Sequence, residues 1–383
     1  MTRGIKMKKS QRYLLVSILL FVTFVLAACG GETTSTDEGS NDSGEKITLR
    51  VTSALAPTHG QWEGFFVPWM EQVTEESNGR VEFVTFTSGE LVEAGNELDA
   101  LNEGTVDIAA PLLPIYDPQR FPLSEVSMLP LTSSDPIIAG RAYNKLVTSD
   151  HKFSNGQTFQ EMEYGEHGIK AFGPTISQEY SISTTGLEFN SPADLKKAKL
   201  RTPSRIHEIY SKHVGINSVT MPTFDLFDAM SRGAIDGSYL FIADWTGYGF
   251  QELFKYTIQG INLGHFGSVL AMTEDKWNSI PEDIQQIMIK AMDDHRDAGS
   301  QLWIDRSAEI IESTKAEGAK FIQLEDADPE VKKVLEDGLV KTWHDFIDLL
   351  EEQGEPGKEV AILWRDYLIE EGGSVPEEIM ELE

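Results

Sequence analysis

The sequence predicts an α/β fold of two domains that one long helix connects. Strand and helix patterns alternate along residues 47–272, which is typical of sheets with a substantial parallel part and helices on their faces. Residues 47–383 are numerous enough for two domains of ordinary size. A helical pattern over 281–317 exceeds the length of a typical domain helix, at about 55 Å, so we expect it to brace both domains.

The first 28 residues are predicted to be a lipoprotein signal peptide. A basic start precedes an apolar stretch at 14–28, which is shorter than the ~20 residues that span a bilayer. The Leu-Ala-Ala-Cys run at 26–29 resembles a bacterial lipobox, which implies cleavage before Cys29 and a lipid on its sulfur. The chain would then be extracytoplasmic and lipid-anchored to the outer face of the bacterial cell membrane, on the periplasmic side if an outer membrane exists. An ordinary signal peptide with a chance cysteine is the alternative.

Residues 29–46 are predicted to be a flexible tether. They are rich in Gly, Ser, Thr, Asp and Glu and cannot bury enough apolar surface to fold. Cys29 is the only cysteine, which excludes a disulfide, thiol catalysis and cysteine-type zinc sites. The whole chain carries 32 basic and 62 acidic side chains. This charge repels nucleic acid and anionic membrane surfaces, so we expect no nucleic-acid partner and membrane attachment through the lipid alone.

The first half of the folded region has a strand-helix-strand-helix-strand order. Alternating or β-branched runs predict the strands, and apolar residues three to four apart predict the first helix. Asn78 and Gly79 end that helix. The predicted elements are strand 47–51, a helix through 62–73, strand 81–86, helix 96–102 and strand 106–110.

The second half continues this alternation and then becomes helical. The predicted strands are 169–172, 179–183, one that ends at 200–203, 218–221, 235–241 and 268–272, and the predicted helices are 205–213 and 225–232. Pro281 fits the first position of the long helix, because proline suits a helix start. Two helices that break near Gly299 are the alternative to one continuous helix.

Sequence motifs of common enzymes and metal sites are absent from the chain. It contains no GxSxG elbow, no P-loop and no HExxH motif. His207 and His213 are six residues apart and face different sides of a helix, whereas a zincin needs a spacing of four. We therefore predict that the protein is not an enzyme and has no cofactor and no metal site.

Several short motifs occur in the order typical of one transport family. They are PTH at 57–59, SNGRV at 77–81, SGEL at 88–91, GTVDI at 104–108, RFPLSEV at 120–126, LP at 129–130, SPADLK at 191–196, KLRTP at 199–203, MP at 221–222, SRGAIDG at 231–237, and Trp277 with PED at 281–283. With this set the chain resembles the TRAP-transporter solute-binding proteins of the DctP type, from about residue 47 to 320 with gaps.

The resemblance implies a periplasmic-binding-protein clamshell, type II-like, in which two α/β domains joined by a hinge close on a ligand. It also implies delivery of the ligand to a TRAP-type membrane permease that an ion gradient drives, without an ATPase. We predict ligand-binding domain I at 47–177 plus 266–305 and domain II at 178–265 plus 306–345. Residues 346–383 are predicted to form a C-terminal helical extension.

Arg201 matches the family arginine that pairs with a ligand carboxylate. A guanidinium offers a planar fork of donors that fits a carboxylate bidentately. The residue lies at the carboxyl end of a predicted strand, where open α/β sheets place ligands. We therefore expect a small organic acid as the ligand. A surface arginine bonded to Asp194 or another acid is the alternative.

Two departures from the best-known family members bear on this ligand. The alignment puts Tyr180 where many members carry a second arginine, and Leu240 where many carry an asparagine that often touches ligand. These losses argue against sialic-acid-like recognition and weaken a simple C4-dicarboxylate assignment. They are compatible with an apolar or aromatic monocarboxylate.

Other candidate ligand-binding residues follow from their positions near strand ends. Together with Arg201 they are His59, Glu90, Tyr116, Gln178, Tyr180, Thr223, Tyr239 and Phe241. Such a mixture of apolar and polar groups is typical of ligand clefts. The alternatives are core packing for each aromatic residue and a turn position for His59.

Three other functions stay open from the sequence. A binding protein of the same fold could serve an ATP-driven importer or a sensor kinase, and neighbouring genes for membrane carrier subunits would favour the TRAP assignment instead. An extracellular enzyme would show substrate turnover. A structural surface protein would show no stabilisation by small molecules.

Overall fold

Two β-sheets organise residues 46–383, the part of the chain that the computed structural model describes. The predicted signal peptide, the lipidation site Cys29 and the tether up to residue 45 lie outside the described residues. The strands are β1 (Ile47–Thr52), β2 (Val81–Phe86), β3 (Ile108–Leu112), β4 (Ile169–Phe172), β5 (Ser181–Thr184), β6 (Lys199–Thr202), β7 (Asn217–Thr220), β8 (Gly237–Leu240), β9 (Tyr256–Gln259), β10 (Val269–Thr273) and β11 (Lys320–Gln323).

Helices cover both sheets. In chain order the α-helices of the described residues are α1 (Val67–Glu76), α2 (Glu97–Asn102), α3 (Pro136–Thr148), α4 (Phe159–Glu163), α5 (Pro192–Leu195), α6 (Arg205–Val214), α7 (Leu226–Ser231), α8 (Trp245–Tyr248), α9 (Glu274–Ser279), α10 (Glu282–Ala316), α11 (Pro329–Glu352), α12 (Gly357–Glu370) and α13 (Glu377–Met380). A π-helical turn, Trp62–Phe66, leads directly into α1.

Each sheet combines parallel and antiparallel neighbours. The first sheet has the order β2-β1-β3-β10-β4, in which β1 is parallel to β2 and β3, and β10 is antiparallel to both of its neighbours. The second has the order β11-β9-β5-β8-β6-β7. The predicted α/β class is confirmed. We call each sheet with its covering helices a lobe, and the cleft between them positions the candidate site.

The chain passes between the two sheets three times, through residues 173–180, residues 260–268 and helix α10. The first two segments lie side by side, because Tyr180 N–H donates to the Gly264 carbonyl at 3.0 Å and Leu263 N–H donates to the Tyr180 carbonyl at 3.2 Å. Gly264 has φ +80°, and an added Cβ would lie 2.3 Å from the carbonyl carbon of Met128. Glycine is therefore required where this segment crosses the first lobe.

The long helix α10 is continuous and close to the predicted length. It runs from Glu282 to Ala316, so the alternative of a break at Gly299 is wrong. Pro281 is the N-cap residue and not the first helical residue, which moves the start by one position. The helix spans about 52 Å at 1.5 Å per residue. It packs against the turn before α1 in the first lobe, and its end leads into β11 of the second sheet.

The C-terminal helices connect the two lobes on another side. Helix α11 packs on α6 of the second lobe, and α12 packs on α3 of the first lobe and on α11. Trp343 Nε1 on α11 donates to the carbonyl of Pro130 at 2.7 Å. The predicted domain boundaries, including an extension that begins at residue 346, stay a prediction. Between residues 46 and 383, each helix is too short or too polar to cross a bilayer.

Candidate ligand-binding site

Three adjacent cavities lie in the cleft between the lobes. The largest, of about 870 Å³, and a second of about 510 Å³ share Ala54, Ser88 and Phe224 in their walls. A third, inner cavity of about 50 Å³ shares His59 and Asp244 with the second. Phe224 also lines the inner cavity, so it lies where all three meet. A ligand in the inner cavity is enclosed by residues of both lobes.

Aromatic side chains form most of the wall of the inner cavity. They are Tyr116, Tyr180, Phe224, Phe241, Tyr248, Phe266 and Trp303. Tyr180 packs edge-to-face on Phe241 with ring centroids 5.4 Å apart, and Phe241 packs in the same way on Trp303 at 5.2 Å. This row joins the second lobe to helix α10. A wall of flat rings favours a flat, apolar ligand group.

Arg201 lies directly behind this wall on strand β6. Its side chain is fully buried, and Nη2 donates to Thr223 Oγ1 at 3.0 Å. Thr223 itself lines the inner cavity. The other bonds of the guanidinium run from Nε to the carbonyl of Met221 at 2.8 Å and from Nη1 to the carbonyl of Tyr239 at 3.3 Å. These contacts occupy three of the five guanidinium N–H donors.

The charge of Arg201 has no carboxylate counter-ion within residues 46–383. None of the ion pairs between these residues includes it, and Asp194, its alternative partner, pairs with Lys197 at 2.7 Å instead. Arg201 is therefore not a surface arginine bonded to that acid. A buried charge without a counter-ion is costly. An anion that reached the two remaining N–H donors would offset this cost.

A second polar group of residues lies where the inner and second cavities meet. His59 Nε2 of the first lobe is 3.4 Å from Asp244 Oδ1 of the second. Burial raises the pKa of Asp244 to about 7, although Arg306 and Arg201 act in the opposite direction. Burial lowers the pKa of His59 to about 3, and Arg306 adds to the shift. His59 is uncharged at neutral pH, so this contact is not an ion pair.

Arg306 of helix α10 borders the second cavity. Nη2 donates to Glu63 Oε2 at 3.0 Å, and Nη1 donates to the carbonyl of Thr58 at 3.2 Å. Both partners belong to the first lobe. The arginine therefore joins the second half of α10 to the first lobe beside the cleft.

An ion pair crosses the cleft beside the largest cavity. Glu125, in the segment after β3, is fully buried and accepts from the backbone N–H of Arg205 at 3.1 Å and from its Nε. Arg205 begins helix α6 of the second lobe. Burial raises the pKa of Glu125, and the guanidinium opposes this shift. The two lobes are therefore in direct contact on both sides of the inner cavity.

The two histidines of the HExxH-like stretch have separate surroundings. His207 is buried with Nδ1 3.0 Å from Ser204 Oγ, whereas His213 Nε2 lies 2.8 Å from Asp345 Oδ2. Over residues 46–383, no three His, Cys, Asp or Glu side chains are grouped so that they could hold a metal ion.

Five of the predicted site residues lie together in the inner cavity. They are His59, Tyr116, Tyr180, Thr223 and Phe241. The sequence pattern could place them because four of them follow a strand of one of the two sheets and Tyr180 directly precedes β5.

The other four predicted residues lie elsewhere. Arg201 and Tyr239 are buried behind the cavity wall. Gln178 lies in the crossing segment 173–180 and accepts a hydrogen bond from Ser307 of α10. Glu90 is exposed and is not among the residues that line the three cavities. Two residues before it have left-handed φ values, +58° at Ser88 and +69° at Gly89, and they turn the loop at this point.

Sequence reasoning missed several residues of the cavity wall, among them Trp303 and Asp244. Trp303 comes from α10, which the pattern described only as a brace. The sequence contained a signal for a buried face of α10 that includes Trp303. Residues recur there at helical spacing, namely Arg296, Ser300, Trp303 and Ser307. Asp244 is an isolated acid after an apolar run at 239–243, and such an acid is unusual enough to deserve a functional hypothesis.

Comparison with protein families matches residues 51–345 to the model described as DctP, bacterial extracellular solute-binding protein, family 7. The C4-dicarboxylate-binding periplasmic protein DctP of Rhodobacter capsulatus is 22% identical over 278 residues, which are 72% of this chain and 79% of that protein. The monocarboxylate 2-oxoacid-binding periplasmic protein of a Nostoc species is 25% identical over 290 residues, 73% of each protein.

The fold is also similar to that of solved TRAP solute-binding proteins. One, from a marine metagenome, is described as specific for aromatic acid ligands and was solved with 3-hydroxybenzoate. It has a TM-score of 0.74 and 20% identity, and the match covers 86% of this chain and all of that one. The similarity shows a shared fold and confirms the predicted two-lobed clamshell with its long helix.

Proposed function

Because this chain belongs to the DctP family of bacterial extracellular solute-binding proteins, we propose that it captures a small organic acid outside the cytoplasm and delivers it to a TRAP-type permease driven by an ion gradient. The family consists of extracytoplasmic solute-binding receptors and not of enzymes. The family resemblance predicted from the sequence is confirmed. The ligand, its binding residues and the delivery step belong to the proposal.

The observation that carries the proposal is the buried guanidinium of Arg201. It lies behind Thr223 at the inner cavity, has no carboxylate partner among the described residues and keeps two N–H donors uncommitted. A ligand carboxylate would supply the missing charge. Trp303, which lines the same cavity, adds to this preference, because its buried Nε1–H has no hydrogen-bond partner within residues 46–383.

The surroundings favour a compact monocarboxylate with an apolar or aromatic body. Tyr180 lies in the cavity wall where many family members carry a second arginine, so a second carboxylate would meet a ring there. Leu240 is buried in strand β8 and offers no side-chain polar group. The relatives with known ligands include binders of dicarboxylates, monocarboxylates and aromatic acids, and the aromatic wall here is closest in chemistry to the last.

Arg201 alone cannot supply useful affinity. A charge-assisted hydrogen bond contributes about 1.5–3 kcal/mol, whereas micromolar binding needs about 8 kcal/mol. Contacts with the aromatic wall on both lobes would have to provide the remainder. We therefore propose that capture requires the lobes to close over the ligand.

We further propose that the mature chain begins at a lipidated Cys29, with residues 29–46 as a tether. The support is the lipobox resemblance at 26–29 and the extracytoplasmic location of the family. Globomycin, which inhibits lipoprotein signal peptidase, should make the uncleaved precursor accumulate in producing cells. A mature protein that is released without lipid would contradict this part of the proposal.

A thermal-shift screen tests the ligand class. Residues 46–383 lie within one compact unit and can be screened against organic acids, amino acids and neutral sugars. A ligand at 100 times its Kd stabilises the folded state by about 2.7 kcal/mol. We expect carboxylates, and not neutral sugars, to raise the melting temperature. Arg201→Met should abolish the shift because the counter-charge is lost.

Arg232→Met is the matched control for this arginine substitution. Arg232 lies on the same lobe but is exposed and pairs only with Asp228, so the shift should persist. Circular dichroism shows whether Arg201→Met is folded. A carboxylate shift that survives in folded Arg201→Met would remove Arg201 from the site, and a panel without any carboxylate shift would contradict the proposed function.

A further inference from the structure

The carboxylate of Asp244 lies in the cavity wall without a hydrogen-bond donor of its own. It lines both the inner cavity and the second cavity, and the residue is only 7% exposed. Among the described residues no hydrogen bond reaches its side chain, and its backbone N–H donates to the carbonyl of Phe241 at 3.4 Å. A buried carboxylate has acceptor sites for several donors, and leaving them empty is unfavourable.

The position of Asp244 next to α8 does not supply a donor for its carboxylate either. It precedes α8, where an aspartate side chain often accepts from the first backbone N–H groups, but its φ of −85° and ψ of −10° are helical because it also ends the 3-10 turn Ile242–Asp244. Here the side chain makes no capping bond. Local helix chemistry therefore does not explain the residue, and its carboxylate lines the cavity instead.

His59 does not act as the hydrogen-bond donor to the Asp244 carboxylate. Its Nδ1 accepts from the backbone N–H of Gln61 at 3.3 Å, which assigns the proton of the neutral ring to Nε2. That Nε2 is 3.4 Å from Asp244 Oδ1, beyond the usual range for an N–H···O bond. The histidine faces one side of the carboxylate and leaves it open to a closer donor.

The nearby arginine side chains do not donate a hydrogen bond to this carboxylate either. The Arg306 guanidinium donates to Glu63 and Thr58, and that of Arg201 donates to Thr223 and to backbone carbonyls. Both act on Asp244 only at a distance, by opposing the rise in its pKa. The remaining wall of the inner cavity next to Asp244 is aromatic, with Tyr248 and Phe241 as its neighbours.

We propose that Asp244 is a specificity-determining residue that accepts a hydrogen bond from a hydroxyl or amino group of the ligand. The ligand class is then a compact acid with three parts: a carboxylate toward Arg201, an apolar or aromatic middle, and a donor toward the second cavity. This inference rests on the proposed function, because it assumes that the carboxylate end binds at Arg201.

A site with a buried acceptor rejects an analogue that lacks the matching donor. The analogue leaves the acceptor unpaired after water has been displaced, which costs more than the absence of one contact. We expect the donor-bearing acid to bind at least about tenfold more tightly than its analogue. Methyl ethers should bind as weakly as the analogue, since they fill the space without donating.

Calorimetric titration of residues 46–383 with matched acids tests the proposal. The pairs are 3-hydroxybenzoate with benzoate, 4-hydroxyphenylacetate with phenylacetate, and mandelate with phenylacetate, and 3-methoxybenzoate serves as the methyl ether. Asp244→Leu has nearly the same shape but no acceptor. It should abolish the preference within a pair while the affinity for the donor-free acid stays equal or rises.

Two further variants guard against a folding defect in Asp244→Leu and against a general effect of removing an acidic side chain. Asp244→Asn retains one acceptor oxygen and should preserve part of the preference if Asp244→Leu fails to fold. Asp228→Asn is the matched control, because Asp228 is an exposed acid of the same lobe that lines none of the three cavities, and it should leave every preference unchanged.

The failure of this inference differs from the failure of the proposed function. Acids that bind without a donor preference, or with a preference that survives in Asp244→Leu, overturn the role of Asp244 and leave the receptor assignment intact. If no acid of the panel binds either the original protein or Arg201→Met, the role of Asp244 and the receptor assignment are both overturned.

Discussion

At the scale of single residues, the charge of Asp244 determines how the empty cleft responds to pH. Burial raises its pKa from 3.8 to about 7, so the folded protein holds a proton that the unfolded chain has released at pH 5 and 6. The free energy of unfolding should therefore fall as pH rises from about 4 to 7. The charged and titratable groups that face Asp244 are His59, Tyr180, Arg201, Tyr248 and Arg306.

Asp244→Asn removes this titration and isolates its effect. We expect the melting temperature of the variant, relative to the original protein, to increase steadily between pH 5 and pH 8 in the absence of ligand. Other buried groups such as Glu163 titrate equally in both proteins and cancel in the difference. Parallel curves for Asp244→Asn would mean that its carboxyl group titrates normally.

The sequence could identify Arg201 but not the surroundings that give it a role. The Arg-Thr-Pro run at 201–203 matches a family motif, and the arginine could be placed at a strand end. Its burial and the lack of a counter-ion depend on Thr223 and Tyr239, which fold against it from other strands and turns. The sequence marks Asp244 as an isolated acid after an apolar run, but an aspartate before a helix is also a common cap, so its place in the cavity wall could not be predicted.

At the scale of elements, the close approach of α10 to the turn before α1 is a packing constraint. An added Cβ at Gly299 would lie 2.9 Å from the carbonyl oxygen of Gly64. Gly299→Ala should improve helix propensity by about 1 kcal/mol. We expect the clash to outweigh this gain and the free energy of unfolding to fall by about 1–3 kcal/mol. Urea unfolding of the variant measures the balance.

Gly247→Ala is the control for this substitution. Gly247 lies in α8, and an added Cβ there has no atom within 4 Å. The variant should be as stable as the original protein or slightly more so. A Gly299→Ala protein that is equally stabilised would show that the two helical segments can move apart.

The elements that the sequence predicted best are those whose pattern is local. Strand β2 was predicted at 81–86, and α10 differs from its prediction by one residue at each end. Strand β9 and strand β11 were missed, and each is defined by its pairing with a distant segment. Helix α3 was also missed, although Asp135 at its N-cap and Pro136 after it are a helix start signal.

At the scale of the whole molecule, the Glu125–Arg205 pair exists only while the lobes are in contact. Glu125→Gln weakens this pair, so we expect the unliganded protein to open more often and its radius of gyration to increase. Ligand binding should weaken by roughly three- to tenfold, because a smaller fraction is ready to close. Small-angle X-ray scattering and calorimetry measure the two effects. Saturating ligand should restore the compact form.

Asp107→Asn is the matched control for this ion pair. Asp107 pairs with Arg50 at 3.0 Å, and both residues belong to the first lobe. The substitution should lower stability without changing the radius of gyration. An unchanged radius and affinity in Glu125→Gln would show that the other contacts between the lobes, such as those of the C-terminal helices, keep them together.

The relation between the lobes was predicted only in outline. The two-lobed class followed from a resemblance that ended near residue 320. The route of α11 and α12 across both lobes could not follow from it, because it depends on contacts with α6 and α3. The amphipathic pattern of a helix indicates which face is buried but not which distant partner covers it.

Strand β10 fills the place between β3 and β4, although residues 173–268 separate it from β4 in the chain. A polypeptide that is threaded through an export channel from its N-terminus therefore presents β3 and β4 before the strand that joins them. During that interval their unpaired edges are templates for association with other chains. Secretion of this protein should accordingly benefit from an extracytoplasmic chaperone that shields the gap until residue 273 has emerged.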